Sequence, residues 1–153
     1  MSITVTALGT ASGLPQPDRY GQTIVLSVTG SDAPQHYILD AGDGASSLLM
    51  RHGLHHSDIE AIFISHMHAD HHCGLAQVVK TCMHVKRTRP LTILAPAEGI
   101  APLQAYLEAS YLRAPFLHYE IRWVSLAGYL EQAIALPGDV TLGRQHAGAC
   151  PVP

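Results

Sequence analysis

Apolar and polar residues fall in short blocks whose spacing predicts a strand-rich start followed by alternating strands and helices. Residues 3–8 (ITVTAL) alternate β-branched and small side chains and predict a strand. Residues 9–22 (GTASGLPQPDRYGQ) hold three Gly and two Pro and predict a loop, long enough between strands to suggest a functional task. TIVLSVT (23–29) predicts a second strand, GSDAPQ a hairpin turn and HYILD (36–40) a third strand. AGDG (41–44) turns the chain into a helix carrying Ser46, Leu48, Leu49 and His52, which Gly53 stops. IEAIFIS (59–65) is nearly continuously apolar, as a strand covered on both faces is, and it runs straight into HMHADHH. From His71 to about Val85, Leu75, Val78, Val79 and Cys82 recur at helical spacing. Lys86 to Pro90 is a basic turn and LTILAP (91–96) another buried strand. Residues 98–112 predict a helix with Leu103, Tyr106, Leu107 and Tyr111 as its core stripe. YEIRWVSL (119–126) predicts a strand, and 129–136 and 139–146 two more. This order predicts an α/β chain with a mixed sheet and helices on its outer faces.

Composition narrows the function classes. The 153 residues suit one domain, and 47% hydrophobic against 14% charged residues is enough for a packed core. A net charge of −3 excludes a strongly basic nucleic-acid module, though not a local patch. No apolar run approaches the ~20 residues of a membrane span, and MSITVTALGT lacks a basic, apolar signal segment, so a soluble cytoplasmic protein is expected. Cys73, Cys82 and Cys150 form no CxxC unit and are expected as buried or semi-buried thiols in a reducing compartment. The outlier is histidine, 11 residues against 2 Phe and 1 Trp.

The chemistry concentrates in residues 65–75 (SHMHADHHCGL). In an extended segment residues i and i+2 point the same way, so His66 and His68 can grip one ion. A turn at Ala69 would bring Asp70 and His71 to a second point nearby. Neutral imidazole and carboxylate suit Zn²⁺, and also Mn²⁺ or Fe²⁺. Two ions ~3.5–4 Å apart can share a hydroxide and clamp a phosphoryl group, and a helix opening at His71 would add positive potential for an anion. The bland alternative is a histidine-rich surface loop, but this cluster sits between a buried strand and a helix, where α/β sites lie. His72, beside a ligand on a helix, is expected to face away. Lys80, Lys86, Arg87 and Arg89 are either a phosphate-facing patch or a solvated turn. His36, His52, His55, His56, His84 and His118 read as solvated or structural.

The HMHADH run resembles the His-x-His-x-Asp-His signature of the metallo-β-lactamase superfamily, and within it the chain looks most like ribonuclease Z, the tRNA 3′-processing endonuclease. LGTASGLPQPDRYGQ (8–22) is similar to that family's first strand and loop. ILDAGDG (38–44) resembles its Asp-Cys-Gly-Glu-Gly element, with Ala41 for Cys and Asp43 for Glu. IEAIFISHMHADHHCGL (59–75) is similar to its metal motif. The resemblance implies the αβ/βα sandwich fold and two divalent metal ions, most simply zinc. It implies His66 and His68 on the first ion, Asp70 and His71 on the second, and Asp70 also orienting or deprotonating the attacking water. It implies Asp40, and less directly Asp43, hydrogen-bonding the ligands from behind. It implies a later histidine on the first ion, for which His146 is the candidate.

Family members are longer, and their bridging Asp, last His and a catalytic His come from a second sheet-and-helix half. Residues 1–153 are therefore expected as one truncated N-terminal half, weak or inactive alone, with its exposed half-sheet face covered in a homodimer or higher oligomer. The leading expectation is a ribonuclease Z-like phosphodiesterase acting on a phosphodiester such as precursor tRNA. The alternatives are a small-molecule phosphodiesterase, arylsulfatase or lactonase of the same superfamily, or a non-catalytic metal-binding or assembly module.

Overall fold

The alternating segments at the start of the chain pair as an antiparallel meander of β1 (Ser2–Gly9), β2 (Thr23–Thr29) and β3 (Gln35–Leu39). The computed structural model describes residues 2–30, 33–128, 134–136 and 140–142. The apolar runs then form three parallel strands, β4 (Ile59–Phe63), β5 (Leu91–Ala95) and β6 (Ile121–Ser125). The six strands lie in sequence order in one mixed sheet. A separate short hairpin pairs β7 (Ile134–Leu136) with β8 (Val140–Leu142).

Parallel pairing demands crossovers, and these supply the helices. They are α1 (Ala45–Arg51), α2 (Ala69–His72), α3 (Leu75–His84) and α4 (Ala97–Ala109). One apolar cluster joins Leu49 of α1, Val78, Val79 and Cys82 of α3, and Leu103 and Leu107 of α4 to Ile38, Ile62 and Ile93 of the strands. The longer helices thus share one face of the sheet. The other face carries a smaller cluster of Val28, Tyr37, Ala61 and Leu94. In the α4 stripe Leu103 and Leu107 are buried, whereas Tyr106 and Tyr111 are exposed.

The single helix expected from His71 to Val85 is broken. A turn at Cys73–Gly74 separates α2 from α3, because Gly74 N–H donates to the Ala41 carbonyl (2.8 Å) and the chain must pass against the 41–44 turn. His71 therefore lies in one helical turn, too short to contribute the dipole that the sequence suggested.

The arginines of the basic turn are tied into the fold. Arg87 is 3% exposed and donates to the carbonyls of Arg89, Ser57 and Pro90 at 2.8, 3.1 and 2.7 Å. Arg89 pairs with Glu60 at 2.6 Å and with the Ser57 carbonyl at 2.7 Å. Both guanidiniums are consumed in tying the entry of β5 to the entry of β4.

Two histidines are structural. His36 is buried against the Ser27 hydroxyl (2.9 Å). His56, 3% exposed, meets the Ser46 hydroxyl at 2.9 Å, and Ser46 in turn meets Thr81. Burial pushes the His56 pKa down to about 4, with the nearby His55 adding to it. The folded state then binds fewer protons than the unfolded chain between pH 6.5 and 4, so stability falls as pH drops through that window. The expected loss is about 3 kcal/mol at its lower end. Urea melts from pH 7 to 4 check this, with a His56→Gln variant expected to lose most of the slope.

Candidate metal centre

The site forms where the parallel strands β3 and β4 end. Asp40 follows β3, and its N–H continues the ladder to the Phe63 carbonyl at 2.7 Å. Its φ is 61°, a left-handed conformation that Asp tolerates better than most residues. This aims the carboxyl at the corner leaving β4. There Oδ1 accepts the Ser65 N–H at 2.7 Å, and Oδ2 accepts the Ser65 hydroxyl at 2.8 Å. Oδ2 also accepts Nδ1–H of His71 at 2.7 Å. That bond leaves Nε2 of His71 as the ring's bare nitrogen, 3.5 Å from Asp70 Oδ2. On the other side His66 Nε2 stands 3.0 Å from His68 Nδ1. The rings of His66 and His71 are 4.0 Å apart at their centroids, so all three imidazoles and Asp70 border one small region.

The donor set fits divalent metal. Two nitrogens each ~2.0–2.1 Å from a common ion must lie roughly 3 Å apart, and the His66–His68 pair does. Bare imidazole nitrogens and a carboxylate oxygen are zinc-type donors. Among the described residues no group of three or more His, Cys, Asp or Glu is gathered for one ion. The geometry is of two donor pairs, His66 with His68 and Asp70 with His71. His146 lies outside the described residues.

Glycines let three chain segments meet behind this corner. A Cβ on Gly42 would stand 2.4 Å from the Asp70 carbonyl oxygen, and one on Gly21 would stand 2.6 Å from the Asp43 nitrogen. The loop between β1 and β2 folds over Asp70, so that a Cβ on Gly13 would stand 3.8 Å from its carboxyl. Beneath it is a cavity of about 320 Å³ whose walls include Ser12, Arg19, Tyr20, Asp43, Asp70 and Cys73. Asp43 is exposed at this cavity, apart from the Asp40–Ser65–His66 chain. Cys73 is exposed rather than buried, while Cys82 is buried as expected and Cys150 lies outside the described residues. Partial desolvation of its sulfur, then the charge of Asp43, hold the Cys73 thiol above its ordinary pKa, which disfavours the thiolate. His72 is half-buried, and among the described residues its Nδ1 has no hydrogen-bond partner.

Sequence reasoning overlooked Ser65 and Tyr106. A hydroxyl residue directly before the first histidine was the available signal for Ser65. Tyr106, whose hydroxyl donates to the Cys73 carbonyl at 3.0 Å and ties α4 to the turn, carried no signal beyond its helical spacing.

The family model described as "Anti-Pycsar protein Apyc1" matches residues 3–133. The chain belongs to the Apyc1 family. Its curated relatives include a ribonuclease Z from Salinibacter ruber, 35% identical over 116 residues, which cover 76% of this chain and 35% of that relative. The short form of human tRNase Z superposes with a TM-score of 0.65 at 26% identity, covering 79% of this chain and 45% of that one. The metallo-beta-lactamase fold protein YhfI from Bacillus subtilis also gives 0.65, at 18% identity over 86% of this chain and 49% of its own. This Apyc1-family chain therefore has the metallo-β-lactamase fold, and it spans about two fifths of the length of the ribonucleases Z it matches. Among its described residues no helix is long and apolar enough to cross a membrane.

Proposed function

We propose that the chain carries one side of a metal-dependent phosphodiesterase centre of the ribonuclease Z type. The observation that carries this reading is the facing pair His66 Nε2 and His68 Nδ1 at 3.0 Å, with Asp70 and His71 on the next turn. His66 and His68 hold one divalent ion, and Asp70 and His71 a second, with zinc the first choice for imidazole and carboxylate donors. Such ions, when bound, make water nucleophilic near neutral pH and offset charge on phosphoryl oxygens. Asp70 orients the attacking water and takes its proton, because among the described residues its carboxyl is the acid beside His71 Nε2, at 3.5 Å. Asp40 holds His71 in the Nδ1–H form, and Asp43 borders the substrate side of Asp70. His146 is the proposed further ligand to the first ion. Residues 1–153 serve as a single N-terminal unit of the fold, in the cytoplasm, and the sheet face opposite the helices pairs in a homodimer.

Precursor tRNA is the substrate class suggested by the relatives. A small phosphodiester is a second reading with its own support. Arg87 and Arg89 tie the entries of β4 and β5, at the opposite end of the strands from the site, and so supply it no cationic surface for an RNA backbone. The cavity of about 320 Å³ next to Asp70 has the size of a small-molecule site. Metal-reconstituted protein is expected to turn over bis(p-nitrophenyl) phosphate measurably and precursor tRNA trailers weakly. Preference for an aryl sulfate or a lactone over the phosphodiester would contradict the assignment.

A further inference from the structure

Asp40 reaches two of the three imidazoles of the corner, His71 directly and His66 through a relay. Ser65 has a single hydroxyl proton, and the Asp40 Oδ2 contact at 2.8 Å uses it. The 3.0 Å contact between Ser65 Oγ and His66 Nδ1 must then be made by the ring's own Nδ1–H. His71 cannot compete for this role, since its Nδ1 lies 3.4 Å from Ser65 Oγ but 2.7 Å from Asp40 Oδ2. The Ser65 N–H also binds Asp40 Oδ1 at 2.7 Å, so the residue is held at two points and its Oγ cannot swing away freely.

We propose that Ser65 is a positioning residue that fixes His66 as its Nδ1–H tautomer and thereby turns the bare Nε2 toward His68. One carboxyl group sets the tautomer of two ligands, His71 by contact and His66 through the Ser65 hydroxyl. The consequence appears at the 3.0 Å His66–His68 contact. Without an ion, His68 must supply the proton at Nδ1. To hold an ion, both facing nitrogens would have to offer lone pairs, so His68 Nδ1 would have to give up that proton to its own Nε2 or to solvent. A residue that holds His66 Nε2 bare therefore favours loading of the pair. This rests on the metal-centre reading only in its second half, because the tautomer exists with or without an ion.

The test uses the purified chain with Ser65→Ala and Ser65→Thr. Long-range ¹H–¹⁵N spectra of the metal-free protein report the His66 tautomer, and chelator competition with Zn²⁺ reports affinity. Wild type and Ser65→Thr are expected to show Nδ1–H at His66 and affinities within about threefold of each other. Ser65→Ala is expected to show mixed tautomers and about tenfold weaker zinc, the scale of an outer contact to a metal ligand. Should Ser65→Ala fail to fold, Ser65→Cys takes its place, with a weaker thiol contact and a shift in the same direction. A wild-type tautomer in the variant lacking the hydroxyl overturns the proposal, as does mixed tautomers in wild type. If no protein binds zinc but the tautomer shift appears, the metal-centre reading fails and the positioning role stands.

Discussion

An Asp40→Asn variant is expected to bind zinc about 100-fold more weakly than wild type while staying folded. Asn tolerates the left-handed φ of 61° almost as well as Asp, so the backbone has no new reason to move. The hydrogen bonding changes sign instead. Oδ2 accepts from both the Ser65 hydroxyl and His71 Nδ1–H, and Oδ1 accepts the Ser65 N–H. An amide group at the Oδ2 position would point its hydrogens at two donors. The inexpensive escape is to flip the His71 tautomer and rotate Ser65, which puts N–H groups where metal-facing lone pairs stood. Loss of one outer partner commonly weakens metal binding 10–100-fold, and here two ligands lose theirs together. Zinc titration against a chromophoric chelator checks the affinity, and a thermal melt checks the fold. An Asp40→Ala variant is expected to lose stability as well, since Ala is strained at this φ and leaves the Ser65 N–H without its acceptor.

Gly74→Ala is expected to destabilise the fold by about 3 kcal/mol, more than its modest chemistry suggests. Gly74 has φ −81°, which any residue accepts, so no backbone strain enters. The cost is overlap: a Cβ there would stand 2.1 Å from the Gly42 carbonyl oxygen and 3.0 Å from that of Ala41. These are backbone atoms, and they belong to the turn that Gly42 N–H and Ala41 N–H anchor to Gln22 and His71. Relief requires moving the 41–44 turn away from α2, which also pulls Asp40 from His71. Gly53→Ala is the control. Its φ is 69° but nothing stands within 4 Å of the added Cβ, so about 1 kcal/mol is expected. Chemical denaturation of the two variants separates overlap from strain. Equal losses would mean that the close approach at Gly74 is not rigid.

The strands were readable because β-branched and apolar runs leave few other options. TIVLSVT and LTILA became β2 and β5 within a residue of the expected bounds. Residues 66–71 stood out as candidate metal donors because four of the six carry donor side chains and they lie between a buried strand and a turn. What stayed hidden depends on three-dimensional meetings. The Cys73–Gly74 break interrupts a helical apolar pattern that continues through it, and only the passing 41–44 turn requires it. Arg87 looked like a solvated cation, since the carbonyls it satisfies are backbone groups and side-chain sequence does not mark them. Ser65 looked like a strand-end hydroxyl until Asp40, 25 residues earlier, came within reach of it.

The central claim is that the corner of residues 66–71 gathers divalent metal. Elemental analysis of the purified chain by mass spectrometry, beside a His66→Ala/His68→Ala double variant, tests it most directly. Wild type is expected to retain at least one equivalent of zinc, manganese or iron through gel filtration, and the double variant to lose it. A metal-free wild type after reconstitution with zinc, or equal metal in both proteins, would contradict the account.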